Sequence, residues 1–281
     1  MIGDARLIDS LHLGRPSVIG SWLVDDVIID PGPSSCLEAL LQGLHGVTPR
    51  ALLLTHIHLD HAGASGTLVE RWPELEVYVH ELGAPHMLDP SRLVKSATRL
   101  YGEGMDRLWG EMLPVPEANL RELHGGERVL GDRFEVAYTP GHASHHVSYL
   151  CAGTAFVGDV GGVRIAGGLA VPPTPPPDID VEAWHHSLAT VAAWRPRRLA
   201  MTHFGASEDV EAQLHEVGAR LTAWAQLARE QDEAGFIAAI EQEIAAGAPA
   251  QVVPAYIQAA PHDQLFMGLE RYWAKRAQNS G

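Results

Sequence analysis

Apolar positions in the first two hundred residues come in short, compact runs rather than long stripes. Residues 17–24 and 27–30 are two such runs, closed by Pro31-Gly32-Pro33, and predict two strands ending in a turn. Residues 51–54, 75–79, 133–138, 146–151, 155–157 and 198–201 have the same character and length. Helical spacing interrupts them. Residues 36–45 place Leu37, Leu40, Leu41 and Leu44 on one face, and residues 67–72 predict a helix stopped by Pro73. Residues 91–112 carry Leu93, Ala97, Leu100, Met105, Leu108 and Met112 and end at Pro114 and Pro116, which predicts a helical insertion between sheet strands. Residues 181–194 predict a helix with Asp178 or Asp180 near its start. The run Pro172-Pro173-Thr174-Pro175-Pro176-Pro177 is unsuited to a sheet interior and predicts an extended surface loop.

After Gly205 the pattern changes. Val210, Leu214, Val217, Leu221, Trp224 and Leu227 keep three- and four-residue spacing, as do Phe236, Ile240 and Ile244, then Leu265, Leu269 and Tyr272. The expected organisation is therefore an α/β unit over residues 1–205 with a helical C-terminal extension over 206–281, and no internal repeat.

Composition narrows the class. An apolar share of 46% over 281 residues supports an ordinary packed core. A formal charge of -15 repels phosphate backbones and argues against a nucleic-acid partner; Arg195, Arg197 and Arg198 read as a solvated lead-in to a strand. Two cysteines, Cys36 and Cys151, cannot build a disulfide framework, and no apolar stretch has the length of a membrane span or a leader. A cytoplasmic protein without a membrane partner is the expectation.

The sixteen histidines are where chemistry concentrates. Thr55-His56-Ile57-His58-Leu59-Asp60-His61 follows directly on an apolar strand. Alternate residues of an extended chain leave on the same side, so His56 and His58 can converge on one ion. Asp60 and His61 come after the strand, where the chain can turn toward a second ion. Imidazole with carboxylate suits zinc, iron or manganese.

This segment resembles the HxHxDH signature of the metallo-β-lactamase-fold superfamily. Asp30-Pro31-Gly32, Thr139-Pro140-Gly141-His142, Gly158-Asp159 and Thr202-His203 resemble that family's remaining motifs, in its order, across residues 1–205. The resemblance implies an αββα sandwich with the site at the sheet edges. It implies that His56, His58 and His142 hold one metal, that Asp60, His61 and His203 hold a second, and that Asp159 spans both. It further implies two divalent ions, zinc first with iron or manganese as alternatives. The implied enzyme is a metal-dependent hydrolase in which a metal-bridging hydroxide, oriented by Asp60, cleaves a small ester, thioester or lactone. A phosphodiesterase or phosphatase on the same ligands is the alternative, as is a mononuclear iron oxygenase of this fold.

Further residues carry weaker readings. His146 matches a histidine of glyoxalase-II-like thioesterases, although that family's Thr-x-Gly-His reads Ala143-Ser144-His145-His146 here. It is expected either to support a ligand from behind or to touch a small-molecule substrate. Arg164 either pairs with an anionic substrate group or with a surface acid. Tyr101 and Trp109 line a substrate pocket if the insertion folds over the metals, and otherwise pack within it. His80, His86, His185 and His186 read as ordinary loop and helix residues. The insertion and C-terminal helices are expected to form a lid or a homodimer contact.

Overall fold

The computed structural model describes residues 5–279. Within them, twelve strands form two six-stranded sheets. The first holds, in spatial order, β1 (Arg6–Asp9), β2 (Gly20–Val24), β3 (Val27–Ile29), β4 (Ala51–Leu53), β5 (Glu76–His80) and β6 (Leu120–Leu123). The second holds β7 (Arg128–Val129), β8 (Phe134–Tyr138), β9 (Val147–Cys151), β10 (Thr154–Phe156), β11 (Arg198–Met201) and β12 (Gly205–Ser207). Parallel pairing requires a crossover, and helices supply it. α1 (Leu37–Gly43) joins parallel β3 and β4. The short α2 (Leu59–Ala62) and α3 (Ser65–Arg71) join β4 and β5. The predicted insertion joins β5 and β6 as α4 (Ala84–Leu88), α5 (Ser91–Tyr101) and α6 (Met105–Leu108). α7 (Val181–Ala193), capped by the Asp180 carboxylate on the Ala183 N–H, joins β10 and β11.

The continuous apolar runs have a simple cause: both faces of each sheet are covered. In alternation, Trp22, Val24, Val27, Ile29, Ala51 and Leu53 face inward and meet Phe134, Val136, Tyr149, Phe156 and Ala200 of the opposing sheet. Leu23, Ile28 and Leu52 face outward and join the second cluster, which the helices cover. The two sheets are tied where the site lies. The Trp22 indole donates to the Met201 carbonyl at 3.1 Å, and the Tyr149 hydroxyl donates to the Leu54 carbonyl at 2.7 Å. Each such buried bond contributes about 1 kcal/mol.

The C-terminal helices are α8 (Val210–Glu230), α9 (Glu233–Gly247), α10 (Val253–Ala259) and α11 (His262–Asn279). Asp209 and Asp232 cap the first two. Val217, Leu221, Trp224, Phe236, Ile240 and Leu269 share one apolar cluster with Val160, Val163 and Trp184 of the α/β part. No helix among the described residues is long and apolar enough to cross a membrane. Four short strands, β1, β6, β7 and β12, lack the compact apolar runs that mark the others. β1, β6 and β7 carry charged residues, and β12 carries Gly205, Ala206 and Ser207; β1, β6, β7 and β12 also end their sheets, where polar positions are tolerated.

The proline-rich run departs from expectation in one respect. It is extended, but Pro172, Pro173 and Thr174 are buried rather than on the surface. Val171 bridges to Val163, and Thr174 Oγ1 donates to the Leu265 carbonyl of α11, so the run is tied at one end to the segment after β10 and further along to the last helix.

Candidate metal centre

β4 delivers Thr55, His56 and His58 to the sheet edge, and α2 turns the chain so that Asp60 and His61 face back toward them. His142 follows β8, Asp159 sits in the 3-10 turn Gly158–Gly161 after β10, and His203 directly follows β11. Two glycines make this possible. Gly158 has φ +44°, and a Cβ there would lie 2.5 Å from Thr55 Oγ1 and 2.8 Å from His146 Nε2. Gly141 has φ +133° and lies against the backbone of Trp184, with room for no side chain. The Gly-Asp and Gly-His pairs of the sequence are thus close approaches that place a ligand.

The seven residues form two groups, each with ligand atoms within 4.8 Å of one another. In the first, His58 Nδ1 lies 3.0 Å from both His56 Nε2 and His142 Nε2. Asp159 Oδ2 lies 3.3 Å from His142 Nε2 and 4.0 Å from His56 Nε2. In the second, Asp60 Oδ2 lies 3.2 Å from His203 Nε2 and 3.8 Å from His61 Nε2. The other oxygen of Asp159 belongs here, 3.2 Å from His61 Nε2 and 3.5 Å from His203 Nε2. Ligand nitrogens at about 2.0–2.1 Å around a tetrahedral ion are separated by about 3.3 Å. Both groups have that scale. His61 Nε2, His203 Nε2 and Asp159 Oδ1 are buried without a hydrogen-bond partner among the described residues, which fits donors aimed at a cation.

The opposite ring nitrogens of His56, His61, His142 and His203 are engaged, and this sets which nitrogen faces inward. His142 Nδ1 donates to the Pro173 carbonyl at 2.9 Å, and His203 Nδ1 to the Val18 carbonyl at 2.6 Å. His56 Nδ1 lies 3.1 Å from Thr55 Oγ1. His61 Nδ1 donates to Asp30 Oδ2 at 2.8 Å. Asp30 is fully buried with φ 51°, and it also accepts from the Thr55 N–H, Thr55 Oγ1 and Thr202 Oγ1 at 2.7, 2.7 and 2.9 Å. One carboxylate therefore fastens three motifs together.

Charge divides the two groups. Burial and neighbouring imidazoles hold His56 well below its ordinary value, and burial, followed by the His142 charge, brings His58 down to about 4. Burial lowers His142 as well. These rings are neutral near pH 7, with lone pairs free. His61 is also fully buried, but Asp159, Asp60 and Asp30 outweigh burial and raise it well above the ordinary value. His203 is raised in the same way by Asp159 and Asp60. Burial would raise Asp60 and Asp159, yet His61 and its neighbours hold both well below the carboxylate range. The carboxylates thus favour the charged form of His61 and His203, the reverse of the first group.

The remaining candidates divide. His146 is fully buried behind His56, 5.2 Å between ring centroids, with Nδ1 2.9 Å from Thr139 Oγ1. It packs on the ring of a candidate ligand rather than reaching the ligand cluster itself. His145, also buried, stacks on the same ring at 6.2 Å. Arg164 turns to Glu216 of α8 at 2.6 Å, the surface-acid pairing. Tyr101 donates to Gln264 of α11 at 3.1 Å and meets Trp109 edge-on. His80 stacks on Tyr138, and His185 bonds Thr222. Sequence reasoning missed His12, Pro173 and Val18. The last two act through backbone carbonyls, which leave no side-chain signal, and His12 is a lone histidine in a loop.

Residues 17–203 match the family model described as the metallo-beta-lactamase superfamily. A hydroxyacylglutathione hydrolase from Xylella fastidiosa is 37% identical over 134 residues, covering 47% of this chain and 40% of that protein. The chain thus matches less than half the length of this curated relative. An archaeal metallo-beta-lactamase superfamily structure, ST1585 from Sulfolobus tokodaii, superposes with a TM-score of 0.66 at 20% identity, covering 96% of this chain and 98% of that one. TTHA1623, solved in a di-iron-bound form, superposes with a TM-score of 0.54 at 28% identity, covering 71% of this chain and 93% of that one.

Proposed function

The chain belongs to the metallo-beta-lactamase superfamily, and from that premise we propose that it is a binuclear metal-dependent hydrolase of a small ester, thioester or lactone. The observation that carries this reading is the Asp159 carboxylate, whose two oxygens face two separate groups of ligand nitrogens. His56, His58 and His142 would hold one divalent cation, and Asp60, His61 and His203 the other. When bound, such a pair lowers the pKa of a shared water toward about 7 and polarises the oxygen that gains charge. Asp60, like His58 of the other group, is only partly buried. Its side chain is 21% exposed, against 6% or less for Asp159, His61 and His203. With the metals in place, its carboxylate would orient the attacking water and accept its proton.

Zinc is the first choice of metal, because neutral imidazole and carboxylate suit it. Iron is the second, supported by the di-iron relative TTHA1623. A complete second group weighs against a mononuclear oxygenase. Hydroxyacylglutathione hydrolase relatives favour an acyl rather than a phosphoryl substrate. In this reading residues 1–205 are the catalytic unit and 206–281 its cover, and the buried free Cys36 and Cys151 suit the reducing cytoplasm. The test is turnover of matched esters, thioesters, lactones and phosphodiesters by protein of counted metal content. Turnover of at least one acyl class, lost on chelation and regained with metal, is expected. Turnover of phosphodiesters alone, or none with both sites filled, would overturn the reading.

A further inference from the structure

β10 and β11 deliver Asp159 and His203 just beyond their C-terminal ends. At their N-terminal ends, on the side of the sandwich away from the metal centre, lies a cavity of about 340 Å³. That is within the ~300–1,000 Å³ of ordinary small-molecule sites. The first sheet reaches it through Val24, the last residue of β2. The second sheet reaches it through Thr154 and Arg198, which open β10 and β11 and stand opposite one another in the parallel pairing. Val24, Phe156 and Cys151 are buried and give it an apolar wall. Its charged lining residues are Arg197, Arg198 and Glu208.

The sequence reads Arg197 and Arg198 as a solvated lead-in to β11, yet the fold fixes both side chains. Arg197 lies across the β9–β10 turn. Its backbone N–H donates to the Gly153 carbonyl at 2.8 Å, and its Nη2 donates to the Ala152 carbonyl at 2.5 Å. A Cβ on Gly153, where φ is +81°, would lie 2.6 Å from Arg197 Nε, so the turn leaves room for the guanidinium only as glycine. Arg198 Nε donates to Thr154 Oγ1 at 2.9 Å. All of these acceptors are neutral. Arg50, Arg121, Arg128, Arg133 and Arg164 each pair with a carboxylate. Among the described residues Arg197 and Arg198 have no carboxylate within 4.0 Å, Glu208 included. Arg198 Nη1 and Nη2 make no hydrogen bond to the described protein and are not sealed from solvent. Two oriented guanidiniums thus stand without a counter-charge in a chain whose net charge is -15.

We propose that this cavity is a second binding site, and that it takes the phosphomonoester group of a small organic anion, with Arg197 and Arg198 on the phosphate and the apolar part of the ligand against Phe156 and Val24. A guanidinium fork matches paired phosphate oxygens, and two neighbouring forks match a dianion better than a single carboxylate. Side chains already held by the protein lose less freedom when the ligand binds. Glu208 on the cavity wall offsets one of the two positive charges and tunes the affinity. The site is independent of the hydrolase reading, since none of its lining residues is a candidate metal ligand.

The experiment is calorimetric titration of the zinc-loaded protein at about 0.15 M salt, where exposed charges are screened. The probes are phenylphosphonate, which stands in for a phosphomonoester and resists hydrolysis, inorganic phosphate and benzoate. Phenylphosphonate is expected to bind most tightly, with inorganic phosphate and benzoate each about tenfold weaker. Arg197→Gln and Arg198→Gln should each weaken phenylphosphonate by about tenfold, the scale of a lost charge-assisted hydrogen bond. Glu208→Gln, at an exposed position, should tighten it several-fold, a change of sign that a damaged fold cannot imitate. Thermal unfolding checks that both arginine variants are folded. Asp159→Asn, which acts on the metals, should leave the affinity within about twofold. Failure of all three probes to bind, or benzoate binding more tightly than phenylphosphonate, would overturn the proposal. So would phenylphosphonate binding that is lost with Asp159→Asn, or that is unchanged by the arginine and Glu208 substitutions, because it would then belong to the metals or to the general surface.

Discussion

Three neutral imidazoles gather at one half of the metal centre, whereas the other half sets two histidines against three carboxylates. In the first half, burial and ring-to-ring repulsion keep His56, His58 and His142 deprotonated. In the second, Asp159 and Asp60 raise both His61 and His203, and Asp30 adds to the rise of His61. The first half is ready for a cation as it stands; the second must exchange protons for one. Equal ligand counts therefore do not make equal sites, and loading of the second half is the step more sensitive to pH.

The largest effect is expected where the halves meet. Asp159→Asn removes the charge shared by both, and turnover should fall by more than the roughly 10²-fold that a change behind the ligands causes. Elemental analysis should show the metal count dropping below two per chain. Retention of two ions and full activity would break the bridging role.

Single-half changes sharpen the comparison. His142→Ala should deplete the first ion selectively, and His203→Ala the second, each leaving about one ion per chain by titration with a chromophoric chelator competitor. Loss of both ions from either variant would mean that the halves are not separately built.

Asp30→Asn acts one layer out. It weakens the hold on His61 and removes acceptors from Thr55 and Thr202. Affinity for the second ion should fall about 10- to 100-fold, with the first nearly unchanged. Chemical denaturation should show stability lower by about 1–3 kcal/mol. Equal weakening of both ions would contradict the assignment of Asp30 to one half.

The smallest effect is the pH dependence of the metal-free protein. Groups lowered in the fold, His56, His58 and His142, bind fewer protons than the unfolded chain between about pH 4 and 6.5, so stability rises with pH there. Groups raised in the fold, His61 and His203, contribute fully below pH 6.5, and that contribution is lost as pH rises through their folded values. Stability should therefore peak near pH 6.5, on the order of 1 kcal/mol per group per unit away from it. Bound metal should remove the decline on the alkaline side. Monotonic urea midpoints from pH 5 to 9 would contradict the charge difference between the halves.

Much of the centre was legible in the sequence because its ligands sit beside compact apolar strands. The strand that ends at Leu53 announces His56 and His58, and the one that ends at Met201 announces His203. The double-faced burial of the sheets makes such runs continuous and easy to find. Polar or weakly apolar edge strands such as β1 and β12 lack that signal. Asp30 was visible as part of a turn, but its four hydrogen bonds depend on residues brought from 25 to 172 positions away. The burial of Pro172 to Thr174 was hidden because composition reports what a segment cannot do within a sheet, not what covers it. His12 was missed for a related reason: its partners Trp109 and Gln258 lie 97 and 246 positions further on, and only the folded chain assembles them.

The central claim is two cations on one shared carboxylate, and crystals of zinc-loaded protein test it most directly by anomalous diffraction at the zinc edge. The account predicts two peaks per chain, about 3.5–4 Å apart as in other two-metal sites, one among His56, His58 and His142 and the other among Asp60, His61 and His203, with an oxygen of Asp159 on each. A single peak, or peaks away from these residues, would contradict it.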